Sequence, residues 1–413
     1  MKRTGLCILI LSIVVAATIS GQMYFDSRSA HRNPALSAFT PRGTFEMGIQ
    51  TDVAGYNSAF ALGDILQETW VIDLSQATER SGDGGFRVGA TANLGTHGIL
   101  RLGGVGFGGY TGLRSVAELQ VPKEFLELLS EGNIDDRSGT GNAIIEAHLE
   151  AGVRTAFNWR EWTFGINAAP FVPIAYSGEG GFVFDLTTTD EGFNASAGID
   201  TRVFSSVDLV ALQEGAMPDL GDAISNSGFK VDLGVIRRDA AGRPHWGVGL
   251  TDITLVRATA TSEFRVTGSY SASTENAIQA FLDNEDPLEL EAEDIDVEFV
   301  GDAAERIRLA PGVSGFYRFG LPFVDVIPHA HVVFSETLGA VNPGVTVAGN
   351  RFPTNLLYFG IGRERPVWRA TAGLRIPLYV MELNLQIEST SPQFLGVFGP
   401  DGLAAALDVR LGF

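Results

Sequence analysis

Apolar and polar residues alternate along this chain in stretches of about ten, and this period of two constrains the fold more than any other feature. The clearest stretch is the last. In Ala404–Phe413, residues Ala405, Leu407, Val409, Leu411 and Phe413 share one face of an extended strand, while Asp408, Arg410 and Gly412 share the other. Asn142–Phe157 alternates for longer. Ala143, Ile145, Ala147, Leu149, Ala151 and Val153 oppose Glu146, His148, Glu150 and Arg154. Tyr379–Glu388 repeats the pattern, with Met381, Leu383, Leu385 and Ile387 against Glu382, Asn384, Gln386 and Glu388. An edge strand of a soluble sandwich can alternate too. A strand of this length, apolar on one whole side and ending on an aromatic residue, fits better where one face meets lipid and the other a wet lumen.

The N-terminus agrees with export. Lys2 and Arg3 precede an apolar run from Leu6 to Ile19, followed by the small residues Ser20 and Gly21, which reads as a cleaved signal peptide over residues 1–21. Cys7 is the chain's one cysteine and lies inside that run, so the exported protein has neither disulfides nor thiolate metal sites. No later stretch reaches the roughly 18 apolar residues of a membrane helix. A mature chain that crosses a membrane must therefore do so as a closed barrel, in which every backbone group is paired. The net charge of −20 argues against nucleic acid and against adhesion to an anionic lipid surface.

The expected architecture is all-β: a transmembrane antiparallel barrel of about 14 strands over residues 43–413, preceded by a hatch over residues 22–42 and carrying short helical insertions in its loops. Pro34 and Pro41 exclude a central strand in the hatch, whereas Asn33 as cap and Pro34 at the first helical position suit a turn of helix. Helical insertions are expected within Tyr56–Gly84, at Pro122–Glu131, within Ser206–Ser227 and from Thr274 onward. In a simple strand count the first three fall at the rim where long loops belong, and the Thr274 insertion falls on the opposite side. Strands are also expected at Trp162–Tyr176, Phe182–Thr188 and Arg306–Phe319, with aromatic residues around Trp159–Trp162 at a membrane interface.

Several motifs were weighed for chemistry. Gly104–Gly109 matches the dinucleotide fingerprint, yet no helix opens there, so glycines that let a strand bend explain it better. His329 and His331 share a strand face without a third ligand nearby, and the carboxylates of Asp283–Glu298 lack calcium-loop spacing. Hydrolase elbows are missing. The expectation is a non-enzyme without cofactor or metal. Glu146, His148, Glu150 and Arg154 are its candidate lumen residues, and Val409, Leu411 and Phe413 its assembly signal.

Asn33-Pro34-Ala35-Leu36, soon after the signal, resembles the N-terminal Asn-Pro-Ala hatch motif of the outer-membrane long-chain fatty-acid transporter superfamily, which includes type IX secretion shuttle barrels and conjugation-associated barrels. Arg308–Ser314 resembles the later proline-containing strand entry of that group, and Pro122–Gly132 with Thr274–Asn284 resembles the paired helical insertions of one branch. The resemblance implies an outer-membrane location and a hatch at Asn33, Pro34 and Ala35. Implied partners are outer-membrane lipid and the barrel-assembly machinery, and the implied function is passage or binding of a hydrophobic small molecule. The alternative is an envelope barrel that anchors or shuttles other secreted or surface proteins without transport.

Overall fold

A computed structural model describes residues 32–39, 44–60, 74–81, 85–131, 136–189, 192–209, 220–274, 289–292, 296–335, 339–351, 353–364, 367–378, 380–391, 393–399 and 401–412. The signal peptide, Phe413 and most of the Thr274 insertion lie outside these residues. No described helix is long and apolar enough to cross a membrane.

In chain order the strands are β1 (Phe45–Asn57), β2 (Phe86–Leu102), β3 (Val105–Val121), β4 (Arg137–Thr140), β5 (Ala143–Trp159), β6 (Trp162–Thr189), β7 (Gly192–Ser205), β8 (Gly228–Arg238), β9 (Pro244–Val256) and β10 (Ala258–Thr274). They continue with β11 (Glu289–Ala292), β12 (Asp296–Ile307), β13 (Gly312–Tyr317), β14 (Phe319–Gly320), β15 (Val324–Val333), β16 (Ala340–Gly349), β17 (Leu357–Glu364), β18 (Val367–Pro377), β19 (Met381–Ser391) and β20 (Gly402–Gly412). Among the described residues three α-helices interrupt them: α1 (Leu74–Ser81), α2 (Lys123–Glu131) and α3 (Leu220–Ser225).

Fourteen strands form a closed antiparallel ring. β1, β2, β3, β5, β6, β8, β9, β13 and then β15 to β20 each pair with the next. β20 returns to β1, with Leu411 opposite Met47 and Val409 opposite Ile49. Closure gives every ring backbone two neighbours, which is what lipid demands. The side chains sort as the alternation requires. Met47, Ile49, Val53, Val153 and Ile387 are exposed on the outside, while Glu46, Asp52, Glu150, Asn384 and Asp408 are buried inside. This inversion of a soluble protein, apolar outside and charged within, defines a membrane barrel.

The two rims differ. One carries short turns such as Gly103-Gly104 and Arg160-Glu161, and there Trp162 meets Trp246 edge-on at 5.3 Å and Tyr317 meets Phe319 at 4.6 Å. The other rim holds the long connections, including α1, α2 and α3, and there Trp368 meets Phe394 at 5.0 Å. Two aromatic girdles thus bracket the apolar belt. The glycine motif at 104–109 occupies a short turn and the start of β3; Gly103 has φ +61°, and a β-carbon on Gly108 would overlap the carbonyl of Gly98.

Beyond the long-loop rim the wall continues as a second sheet. The two strands expected at Trp162–Tyr176 and Phe182–Thr188 are one strand of 28 residues, β6. Its lower half pairs with β8 up to Phe171, and its upper half pairs with β7 from Tyr176. Pro170 and Pro173, which have no N–H to give, sit where the partner changes. β7 pairs with β10, and β10 with β11 and β12. The strand expected at Arg306–Phe319 breaks at residues 308–311 before Gly312, so β12 belongs to the upper sheet and β13 to the ring. Phe171, Ala258 and Leu309 pack as a small apolar knot at this junction. Because β7, β10, β11 and β12 are not ring strands, the insertion after Thr274 leaves the parity of the ring undisturbed. That removes the conflict in the strand count.

Candidate functional site

The residues expected to form a hatch lie inside the ring. Pro34–Phe39 is a 3-10 turn. Asn33 starts it: its side-chain oxygen accepts from the Ala35 amide at 3.1 Å and its carbonyl accepts from the Leu36 amide at 3.0 Å. The Ser37 hydroxyl donates to the Pro34 carbonyl at 2.7 Å. Ala35 and Leu36 are buried against Ile236, with Phe39 and Phe316 beside them. The wall makes room through a row of small residues at one height. Ala156 pairs with Gly165, Gly165 with Gly234, Gly234 with Gly249, and Gly249 with Ser314. A β-carbon on Gly165 would overlap the Ala35 amide nitrogen, one on Gly234 the Asn33 side-chain oxygen, and one on Gly249 the Arg32 carbonyl. The glycines thus form a trench in which a backbone lies directly on a strand. The Ser314 hydroxyl donates to the Arg32 carbonyl at 2.7 Å and closes the trench at its end.

Around this turn the lumen is lined with paired charge. Lys230 is the centre of the larger network. Its ammonium lies 2.5 Å from Glu150, 2.6 Å from Asp252 and 3.8 Å from Asp232. Arg114 reaches Glu150 at 3.1 Å and Asp252 at 3.4 Å, and Arg154 donates to Asn167 at 3.0 Å, which in turn donates to Asp232 at 3.2 Å. Three cations (Lys230, Arg114, Arg154) meet three anions (Glu150, Asp232, Asp252), so the cluster is neutral. The Lys230 and Glu150 side chains are 1% and 0% exposed. Breaking such a pair from one side strands a buried charge and costs about 3–5 kcal/mol. Asp252 adopts φ +57°, uncommon for a residue with a β-carbon. The pairing of β8 with β9 shifts beside it, and its amide donates to Asp232 at 2.7 Å. The far wall has its own pairs: Arg369 with Glu388 at 2.8 Å and Arg375 with Glu382 at 2.7 Å. Near the short-turn rim, Glu46 is flanked by His97 and Arg101, both at 3.2 Å.

Of the four expected lumen residues, Glu150, Arg154 and His148 come together at this network. His148 packs edge-on against Phe171 with ring centroids 6.4 Å apart. Glu146 lies further along the strand, opposite Tyr176 and beyond a register shift between Ala147 and His148. His329 and His331 line the lumen from β15, and no metal-binding group of His, Cys, Asp or Glu is found among the described residues. Val409 and Leu411 sit in the closing strand between β1 and β19. Sequence reasoning missed Arg114, Lys230, Asp232, Asp252 and Glu364. Lys230 and Asp232 alternate with Phe229, Val231 and Leu233, so the polar face of that strand carried a signal. Asp252 carried none, because its position depends on the irregular pairing of β9.

Two cavities remain in the lumen. One, of about 100 Å³, lies between the 3-10 turn and the wall of β13 to β19, with Leu36, Phe316, Ile327 and Tyr358 among its lining. The other, of about 160 Å³, is bordered by Asp52, Asn93, Leu94, Leu113, Arg114, Asp252 and His331. Closed ring, apolar belt and charged lumen together define a transmembrane β-barrel, with the 3-10 turn lying inside its ring.

Solved structures similar to this chain include a Pseudomonas putida toluene transporter, TodX (10% identity, 97% of this chain and 98% of that one, TM-score 0.44). Others are a Pseudomonas aeruginosa FadL homologue (10%, 96% of each chain, TM-score 0.31) and the translocator domain of the Neisseria meningitidis autotransporter NalP (9%, 96% and 100%, TM-score 0.30). No family model and no curated protein matches the chain.

Proposed function

We propose that this chain is an outer-membrane barrel that binds small hydrophobic molecules and passes them through a lumen plugged by the segment around Asn33, Pro34 and Ala35. The observation that carries the reading is the cavity between that segment and the far wall. Leu36, Phe316, Ile327, Val345 and Ile361 give it apolar surface, and Arg32, Asn342, Arg369 and Glu388 are among the polar groups beside them. A cleft that sets apolar walls beside fixed polar groups can hold and orient a small apolar ligand.

The test is uptake of the fluorescent hydrophobic probe N-phenyl-1-naphthylamine by cells with and without the gene. Faster entry is expected in complemented cells, and faster still with residues 32–39 deleted. Equal rates in all three, with folded barrel present in each, would overturn the reading. A second reading, an anchor or shuttle for other envelope proteins, is favoured by the sheet of β7, β10 and β12 that stands beyond the ring. It expects unchanged uptake and loss of a surface protein when β10–β12 is removed.

A further inference from the structure

The two lumen cavities share two lining residues, Arg32 and Glu364, and these form an ion pair at 3.3 Å. The pair therefore lies on the boundary between the two chambers. We propose that Arg32 and Glu364 form the constriction of the solute path and set its charge selectivity, an inference that rests on the reading of the barrel as a passage.

Three observations support it. First, the pair joins the plug to the opposite wall: Arg32 precedes the 3-10 turn lodged against β6, β8 and β9, whereas Glu364 ends β17. Second, it is the loosest of the lumen pairs considered. Its side chains are 22% and 31% exposed, against 6% and 2% for Arg369 with Glu388 and 1% and 0% for Lys230 with Glu150. An exposed pair is weak and is screened by salt, whereas the buried pairs are held by their own desolvation. Third, the main chain at Arg32 is held independently of its side chain. Its carbonyl is bonded by Ser314 and lies over Gly249, so the guanidinium can leave Glu364 while the plug stays seated. Arg369, which also reaches Glu364 at 3.4 Å, keeps Glu388 when that pair opens. The path thus opens by side-chain rotation, and the two cavities merge into one.

Glu364 lies between Arg32 and Arg369, so Arg32→Gln leaves Glu364 with one cation fewer and Glu364→Gln leaves Arg32 without its carboxylate. The experiment is single-channel recording of the full mature protein in planar bilayers, with reversal potentials taken across a tenfold potassium chloride gradient. Arg32→Gln and Glu364→Gln are each expected to raise conductance at least twofold. Their reversal potentials should move in opposite directions, toward cation preference for Arg32→Gln and toward anion preference for Glu364→Gln. A purely structural role for the pair predicts no such split in sign. The wild type should gain conductance more than proportionally from 0.1 M to 1 M salt, as the Debye length falls from about 10 Å to about 3 Å, and Glu364→Gln should lose that excess. Reversal potentials that stay put, or shift the same way in both variants, would overturn the assignment. Deletion of residues 32–39 separates the two readings. If the deletion opens the pore while both point variants stay closed, the constriction lies elsewhere but the passage stands. If the deletion also stays closed, both fail.

Discussion

At the scale of single residues, the lumen is a set of tightly fitted positions. Gly234 faces Asn33 so closely that one methyl group must move the plug. Gly234→Ala is expected to fold into a barrel with larger single-channel conductance, whereas Gly98→Ala, whose β-carbon would meet nothing within 4 Å, should match the wild type. Equal conductance in the two variants would count against the trench. Lys230 is a stronger test of the wall itself. Lys230→Met leaves Glu150, Asp232 and Asp252 facing one another with only Arg114 and Arg154 near, and should destabilise the barrel by about 3–5 kcal/mol in urea unfolding from lipid vesicles. A loss below about 1 kcal/mol, the range of an exposed pair, would mean water reaches the cluster freely.

At the scale of elements, alternation places charge correctly but says little about tolerance. Leu149 points outward and is 43% exposed, so Leu149→Arg sets a cation in lipid and should cost about 2–4 kcal/mol near the midplane. Its inward neighbour Glu150 faces a lumen, and alternation alone suggests that Glu150→Arg would be harmless there. The structure argues otherwise, because Glu150 lies between Lys230 and Arg114, and an arginine would replace an anion of the buried cluster with a fourth cation. Both variants should therefore lower folding yield, and full folding of Glu150→Arg would overturn the network. In the upper sheet, Arg265 of β10 donates to Asp200 of β7 at 2.8 and 2.6 Å and holds that carboxyl below its ordinary range. A depressed carboxyl adds stability above its unfolded pKa and loses it as pH falls through the folded one. Amide protection in β7 and β10 should thus drop on acidification, modestly since the pair is exposed, and Asp200→Asn should remove that dependence.

At the scale of the molecule, the rims give the orientation. Short turns belong on the periplasmic side of such barrels and long connections outside. Because Cys7, within the expected signal peptide, is the chain's one cysteine, labelling can test this directly. A cysteine at Glu298 in β12 should react with an impermeant maleimide on intact cells, and one at Ala241 in the β8–β9 turn only after the outer membrane is permeabilised. The reverse pattern would invert the barrel.

Alternation with a period of two is a local property, written into Asn142–Phe157, Tyr379–Glu388 and Ala404–Phe413. It was enough to read the barrel and the facing of most side chains, whereas the turn at Asn33 was read from its cap residue and Pro34. Partner choice is not local. Nothing between Trp162 and Thr189 announces that β6 changes neighbour midway, or that β10 and β12 leave the ring, because a strand looks the same whichever strand it pairs with. The same holds for the site. Glu150 and Arg154 announced themselves as lumen residues. Lys230, which pairs with Glu150, lies 80 residues further along the chain (150 to 230), and Arg32 meets Glu364 only because closing the ring brings β17 across from the plug. Charge pairs of that kind follow from register and curvature, which are set by the closed sheet as a whole.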